Sequence, residues 1–441
     1  MRSIAERFQL AAHGTSVGTE ALAGLTTFLT MAYIIFVQPA VLSACGMDFG
    51  GVLVATCLST ALGTTLMALL ANYPIAVAPA MGHNFFFAYT VVLAMKVPWR
   101  VALGAVAVAG IVFILTAGIG LRERVITAIP TSIKHAIAAG IGLLIALVGL
   151  EWAGLIVAAP GTLVALGDLR SPPVVLAIGA LALTSVLVAR RVPGAFLWGI
   201  VASTAIGLPL GIVRYQGIAS RPPSMAATFL QLDIAGAFAP GMLVVIFVFF
   251  FLALFDSIGT LVAVGSQAGL MRDGTLPRAR QALLADAIGT VAGAMLGTST
   301  VTAYVESGAG VAAGGRTGLA SLVTAALFLL SLFLHPLVRM VGGGYSAGGR
   351  ILYPAIAAPL VLVGTMMIGG LRQIAWDDPT EAIPAFLTMI MMPLAVSITE
   401  GVAFGVVAYV LLKIATGRAR EVHALMHVFA ALFLVRYAFL R

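Results

Sequence analysis

The chain has 441 residues, 61% of them hydrophobic and only 9% charged, with a mean hydropathy of +1.11. A soluble domain of that length could not keep such a surface wet, so lipid is the expected solvent. The net charge of +8 would suggest nucleic acid in a soluble protein, but the basic residues fall in connectors between apolar runs, where they report topology; no nucleic-acid partner is expected.

Met1 to Thr19 carries Arg2 and Arg7 without a short apolar core and small-residue cleavage site, so no removable signal peptide is expected. From near Ala21 to about Thr416, apolar runs of bilayer-spanning length recur between mostly short connectors. The runs are continuous and rich in Ala, Leu, Val and Gly, which reads as packed helices and not as the alternating strands of a barrel. The fold class is an all-α polytopic membrane protein of about fourteen segments. Their centres lie near residues 33, 61, 85, 110, 141, 180, 203, 252, 290, 307, 328, 361, 390 and 408. Glu151 to Gly167 reads as an extended outer connector or half-helix, or as a further span. Cys45 and Cys57 are too few for a disulfide framework or a zinc cluster and read as packing residues.

With the N-terminus inside, the inner connectors hold Arg122, Arg124, Lys134, Arg190, Arg191, Arg272, Arg278, Arg280, Arg316, Arg372, Arg418 and Arg420. The outer ones hold Lys96, Arg100, Arg170, Arg214, Arg221, Arg339 and Arg350, and that bias places both termini in the cytoplasm. The tail, His423 to Arg441, is expected to be a helix lying on the membrane surface. The longest polar break runs from Arg214 to about Ala237 and divides the spans into two sets of about seven, so the halves should be inverted repeats.

Two segments at matching positions are broken. One reads Pro74-Ile-Ala-Val-Ala-Pro79-Ala-Met-Gly82-His-Asn84-Phe-Phe-Phe87, the other Thr298-Ser-Thr-Val-Thr302-Ala-Tyr304-Val-Glu306-Ser-Gly308. Extended backbone at membrane depth survives only when covered by protein or lining a cavity, so the two should face each other around a site. Asp256 and Glu306 stand out as intramembrane acids, which are functional candidates because a charge at mid-bilayer is costly. The competing reading of each is a structural acid bonded to nearby hydroxyls and backbone. Thr260, one turn after Asp256, shares its helix face. Together these groups suit a small polar ligand rich in N–H donors, or a cation, and not an anion. Asn84 offers donor and acceptor on one side chain, with a helix-break cap as its alternative. His83 reads as a titratable group or a packing histidine, and Phe85 to Phe87 with Tyr304 as stacking surfaces or plain packing. Thr26, Thr27 and Thr30 form a hydroxyl face whose plainer role is bonding to their own helix. Gly314-Gly315-Arg316-Thr317 lacks the phosphate-loop pattern, which leaves ATP-driven transport without support.

These residues resemble a known family. Ala23-Gly-Leu-Thr-Thr-Phe-Leu-Thr-Met-Ala-Tyr-Ile-Ile-Phe-Val, Phe255-Asp-Ser-Ile-Gly-Thr-Leu, Ala285-Asp-Ala-Ile-Gly-Thr, the string from Thr298 to Gly318 and Glu381-Ala-Ile-Pro-Ala-Phe-Leu-Thr are similar to the AzgA-like purine permeases of the nucleobase-ascorbate transporter fold. The resemblance spans nearly the whole chain. It implies two inverted seven-span repeats forming a core (20–121 and 239–341) and a gate (131–213 and 350–416), followed by a cytoplasmic tail (417–441). It also implies short antiparallel strands in segments 3 and 10, a homodimer in the cell membrane, and elevator-type, proton-coupled import of adenine, guanine or hypoxanthine. Carried over by motif, it implies Asp256, Glu306 and Asn84 as substrate-binding residues, with Glu306 or Asp256 carrying the proton and no metal or cofactor; the reading of the residues adds Thr260, His83, Phe85, Tyr304, Val305, Ser307 and Thr27 to the substrate-binding set. The sequence departs from the family at Ala80, usually Gly, at His83, usually small or aliphatic, and at Ala253, where a second acid is common. Those departures bear on substrate range and coupling. The alternatives are a symporter of another small polar ring (xanthine, urate or a pyrimidine) or sodium coupling. An enzyme or channel would need a nucleophile, metal cluster or pore ring that the sequence does not present.

Overall fold

The computed structural model describes residues 4–118, 130–159, 161–271, 276–347 and 349–439; Arg122, Arg124 and Arg272, read above as inner-connector residues, lie outside them. After a single turn at Ile4–Arg7 come α1 (Val17–Met31), α2 (Ile34–Ser43) and α3 (Phe49–Leu66), the last running on as π-helix to Ala71. Then follow β1 (Val77–Pro79), α4 (Met81–Phe85, continued as π-helix to Ala94), α5 (Trp99–Gly118) and α6 (Thr131–Trp152). A hairpin of β2 (Ile156–Ala159) and β3 (Leu163–Leu166) leads to α7 (Pro172–Ala189) and α8 (Ala195–Gly207). The second half repeats the order with α9 (Met242–Gln267), α10 (Ala279–Leu296), β4 (Val301–Ala303), α11 (Ser307–Ala312), α12 (Gly318–Ser331) and α13 (His335–Gly342). After the hairpin of β5 (Tyr345–Ala347) and β6 (Arg350–Leu352), α14 (Ala357–Met367), α15 (Pro379–Leu394), α16 (Ile398–Ala415) and α17 (Ala424–Phe439) close the chain.

Side-chain caps set many of the starts. Ser16, Asp48, Asp378 and Ser397 each accept a bond from a backbone N–H in the first turn of α1, α3, α15 and α16. Among the described residues eight helical stretches are long and apolar enough to cross a bilayer. The expected centre at 33 falls on the turn between α1 and α2 and the other thirteen within helical segments, but those at 85, 203, 290, 307, 361 and 390 lie on helices that are short, broken or too polar to qualify. The ambiguous stretch after α6 is the β2–β3 hairpin, neither half-helix nor span; neither strand has a buried residue and β3 is exposed throughout, which suits a connector.

Two packing groups are evident. α1, α3, α5, α9, α10 and α12 pack on one another, as do α6, α14, α15 and α16, with α7 and α8 paired beside α14. The tail forms the helix α17, which turns back along α16. The Tyr437 hydroxyl at its far end donates to Glu400 in the first turn of α16, and the Tyr437 ring lies 6.0 Å from that of Phe404. Met426, Phe429 and Phe433 line an apolar crevice together with side chains of α6, α9 and α16, which buries Met426 and Phe433.

At the other end of α16, Lys413 is buried and bridged to Glu381 at 3.0 Å and Glu421 at 2.9 Å. Arg418 bonds Asp378 and Glu421, each at 2.7 Å, tying the start of α15 to the turn before α17.

Candidate functional site

The two broken segments meet as the sequence leads one to expect. β1 and β4 pair antiparallel in the register Val77↔Ala303, Ala78↔Thr302 and Pro79↔Val301, and the ladder is extended by Ala80 N–H to the Thr300 carbonyl and Tyr304 N–H to the Ala76 carbonyl, both 2.9 Å. Pro74 and Pro79 deny a helix to the first strand. Gly297, at φ +101°, ends α10 in the left-handed region, and the β-branched run Thr298 to Thr302 then stays extended.

Each strand is bracketed by a threonine of the helix before it. Thr64 of α3 exchanges bonds with both the N–H (2.9 Å) and the carbonyl (3.0 Å) of Val77; Thr290 of α10 does the same with Val301 at 3.3 and 2.8 Å. The residues just before them, Gly63 and Gly289, are where α3 and α10 touch. A Cβ built on Gly63 would lie 3.7 Å from the Gly289 Cα, and one built on Gly289 would lie 3.5 Å from the Gly63 Cα. Two Gly-Thr pairs thus sit back to back about a local two-fold, which is the inverted repeat at residue scale.

The acids gather along β4. The Asp256 carboxylate, from α9, accepts from the Thr302 hydroxyl at 2.8 Å and is exposed, as is its neighbour Val305. Farther along the same helix Gly259, Val262, Ala263 and Ser266 are exposed as well. Glu306 follows the strand and accepts from the Tyr33 phenol at 2.6 Å. Tyr33 stands at the break between α1 and α2, fully buried. The Tyr304 phenol donates to the Pro79 carbonyl at 2.5 Å, which ties the two strands and takes Tyr304 away from a free stacking role.

Other candidates are placed differently. Asn84 is sealed at the opposite end of β4, accepting from the Ser299 hydroxyl at 2.5 Å, and Ser299 also receives a bond from Gln38 at 3.0 Å. His83 is buried beside it. Phe85 is buried, stacks on Tyr89 at 5.5 Å and lies 6.4 Å from Trp152 of α6. The Ser307 hydroxyl accepts from Ala76 N–H at 3.0 Å, a cross-link between the breaks. Thr27 lies under α11, where a Cβ on Gly310 would meet its hydroxyl at 2.1 Å. Thr26 and Thr30 bond their own helix. Thr260 is buried one turn below Asp256, which spends its bond on Thr302.

Two further buried acids escaped the sequence reading. Asp286 of α10 is fully enclosed and accepts from Ala303 N–H at 3.2 Å, on the strand residue next to the one Asp256 holds. Its signal was available in Ala285-Asp-Ala-Ile-Gly-Thr, an acid inside an apolar helix. Glu20 collects the N–H groups of Arg316, Thr317 and Ala320 at 2.9, 3.2 and 3.2 Å, compensating the start of α12 with a negative charge; it is a structural acid. Tyr33 and Gln38 carried no signal, because only the fold brings them to Glu306 and Ser299.

Residues 18–433 match the model described as Permease family. A Methanocaldococcus jannaschii chain named only as a permease is 50% identical over 442 residues, covering 100% of this chain and 99% of that one. The adenine permease AdeP of Escherichia coli is 46% identical over 434 residues (98% of this chain, 95% of the relative). The guanine/hypoxanthine permease PbuG of Bacillus subtilis is 45% identical over 446 residues (98% and 99%). Among solved structures, the transmembrane domain of a cyanobacterial bicarbonate transporter, BicA, superposes with a TM-score of 0.65 at 18% identity, covering 88% of this chain and 97% of that chain, a likeness of fold alone.

Proposed function

Because the chain belongs to the Permease family of membrane transporters, we propose that it imports purine nucleobases, namely adenine, guanine or hypoxanthine, together with protons across the cell membrane. The observation that carries this reading is the pairing of an accessible carboxylate, Asp256, with an enclosed one, Glu306, on a strand that interrupts the membrane helices. Relatives named for adenine and for guanine/hypoxanthine, at 46% and 45% identity over nearly the whole chain, support the substrate class. A purine offers ring and exocyclic N–H donors, and an ionised carboxylate is the strongest acceptor a side chain can present to them.

In this reading Asp256, Thr260 and Val305 face the base, Glu306 takes up the coupled proton, and Asn84, Ser307, Thr27 and Phe85 hold the frame. His83 and the departures at Ala80 and Ala253 shape the substrate range from behind it. A proton on one acid lowers the cost of holding charge at membrane depth while the other binds the base. The group built on α1, α3, α5, α9, α10 and α12 would be the moving core and the group built on α6 and α14–α16 the gate, in an elevator-like exchange within a homodimer whose termini face the cytoplasm. The basic residues of the inner connectors support that orientation.

The test is uptake of radiolabelled adenine, guanine, hypoxanthine, xanthine and uracil into liposomes holding the purified protein, with and without an inward proton gradient. Gradient-driven purine uptake is expected. Asp256→Asn and Glu306→Gln should each cut it roughly tenfold or more, the scale of one hydrogen bond to a charged group. Folded protein that neither binds nor accumulates any base would overturn the assignment, and accumulation that follows a sodium gradient alone would replace the proton.

A further inference from the structure

Glu306 meets one side chain at hydrogen-bond distance, and that side chain comes from the far end of the sequence. Tyr33 sits where the first membrane span breaks: α1 stops at Met31, α2 starts at Ile34, and Ala32 and Tyr33 form the turn between them. The phenol is 1% exposed and its O–H reaches Oε1 of Glu306 at 2.6 Å, within the range of a charge-assisted bond. The ring is held in turn. Phe196, at the start of α8, meets it edge-on with centroids 5.3 Å apart and planes at 84°. Tyr33 therefore touches a carboxylate of one packing group with its oxygen and a helix of the other side with its ring.

Resting on the proton-coupled reading above, we infer that Tyr33 is the positioning residue of Glu306: it orients the carboxylate, favours its ionised form, and makes the charge state of that acid felt at α8. A phenol O–H bonds an ionised carboxylate more strongly than a neutral carboxyl, which accepts it only through its carbonyl oxygen. The other ionisable groups that face Glu306 are Asp256 of α9 and Tyr304 of its own segment. Neither occupies this place, since Asp256 is bonded to Thr302 and Tyr304 to Pro79. The brace from Phe196 explains why the turn carries an aromatic alcohol: a serine or threonine could bond the acid but could not lean on α8.

The inference is tested in two assays on the full-length protein. In detergent, thermal unfolding of wild type, Tyr33→Phe, Glu306→Gln and the double variant is followed from pH 5 to 9. The double-mutant cycle should show a coupling that grows as the pH rises and weakens toward the acid end. In liposomes, the midpoint of purine uptake against pH should move up by about one unit in Tyr33→Phe, which keeps the ring. Phe196→Leu, which keeps the phenol and removes its brace, should shift it the same way by less. If wild-type protein transports no base, the transport reading fails while the cycle still measures the contact. If uptake is present but the cycle shows no pH-dependent coupling and the Tyr33→Phe profile overlays wild type, Tyr33 is only packing and the inference falls.

Discussion

The two broken segments share one scaffold and differ in what they present. In the first, β1 and α4 end in a sealed wall: Asn84 is bonded to Ser299, His83 is buried, and Phe85 packs toward α6. In the second, β4 and α11 carry Glu306, an exposed Val305, and the strand residues that two further acids grip. Equivalent threonines hold both, so the scaffold is symmetric while the charge is confined to one copy. The difference shows how a duplicated fold makes an asymmetric site: one repeat supplies backbone and a wall, the other supplies chemistry.

The comparison can be broken most sharply at a glycine in each half. Gly310→Ala would drive its methyl to 2.1 Å from the Thr27 hydroxyl and 2.6 Å from the Ala23 carbonyl, a backbone atom that cannot step aside. A loss of about 3 kcal/mol or more is expected, seen as a large fall in melting temperature or as protein that does not fold. Gly82→Ala meets only the Ile141 side chain, at 2.7 Å, and should cost far less. Equal effects would mean the two breaks are clamped alike.

The threonines sharpen it. Thr64→Val and Thr290→Val each leave a buried strand N–H and carbonyl without their side-chain partner, so each should lower stability by about 1–3 kcal/mol, and by similar amounts. Uptake should separate them, because Val301 sits on the strand that positions Thr302 for Asp256 while Val77 does not. Matching transport defects at matching stability would argue against the asymmetry.

The smallest effect lies away from both breaks, at the base of α15 and α16. Arg418, with Thr380, holds Asp378 at about 2, below the usual carboxylate range, and Arg418 with Lys413 holds Glu421 at about 2 as well. Both values are depressed on folding, so their contribution is fully present above the ordinary carboxylate range near 4 and is lost as pH falls from about 5 toward 2. Melting temperature should therefore decline over that window, and the decline should be reduced in Arg418→Gln. These groups are solvent-exposed, and the change should be modest and should shrink with added salt.

The legible part of the fold was its periodicity and its interruptions. Pro74, Pro79 and the Thr298–Thr302 run announced extended backbone because proline and β-branched residues oppose a helix locally, and the structure pairs them. What stayed hidden was partnership over long sequence separations. Asp286 is visible as an acid inside an apolar helix, but its partner Ala303 is brought beside it only by the fold, and Tyr33 and Glu306 are 273 residues apart. The packing of the tail was hidden for a related reason: Met426, Phe429 and Phe433 suit a membrane surface and a helical crevice equally, and only tertiary packing supplies the crevice they line. Asn84 was judged by its donor and acceptor, but Ser299 was already there to satisfy the acceptor.

The contact at Gly63 and Gly289 has a mechanical side. Where helices meet through side chains, a load can be absorbed by rotamer changes; where they meet main chain to main chain, there is nothing soft to yield. The paired strands, one of which Asp256 and Asp286 bond, hang from that crossing through Thr64 and Thr290, so they form a stiff unit whose parts keep their spacing under stress. Whatever displaces Asp256 relative to the lipid must move the whole block, with compliance left to the side-chain contacts at its rim, such as Tyr33 on Phe196 and Phe247 on Phe429.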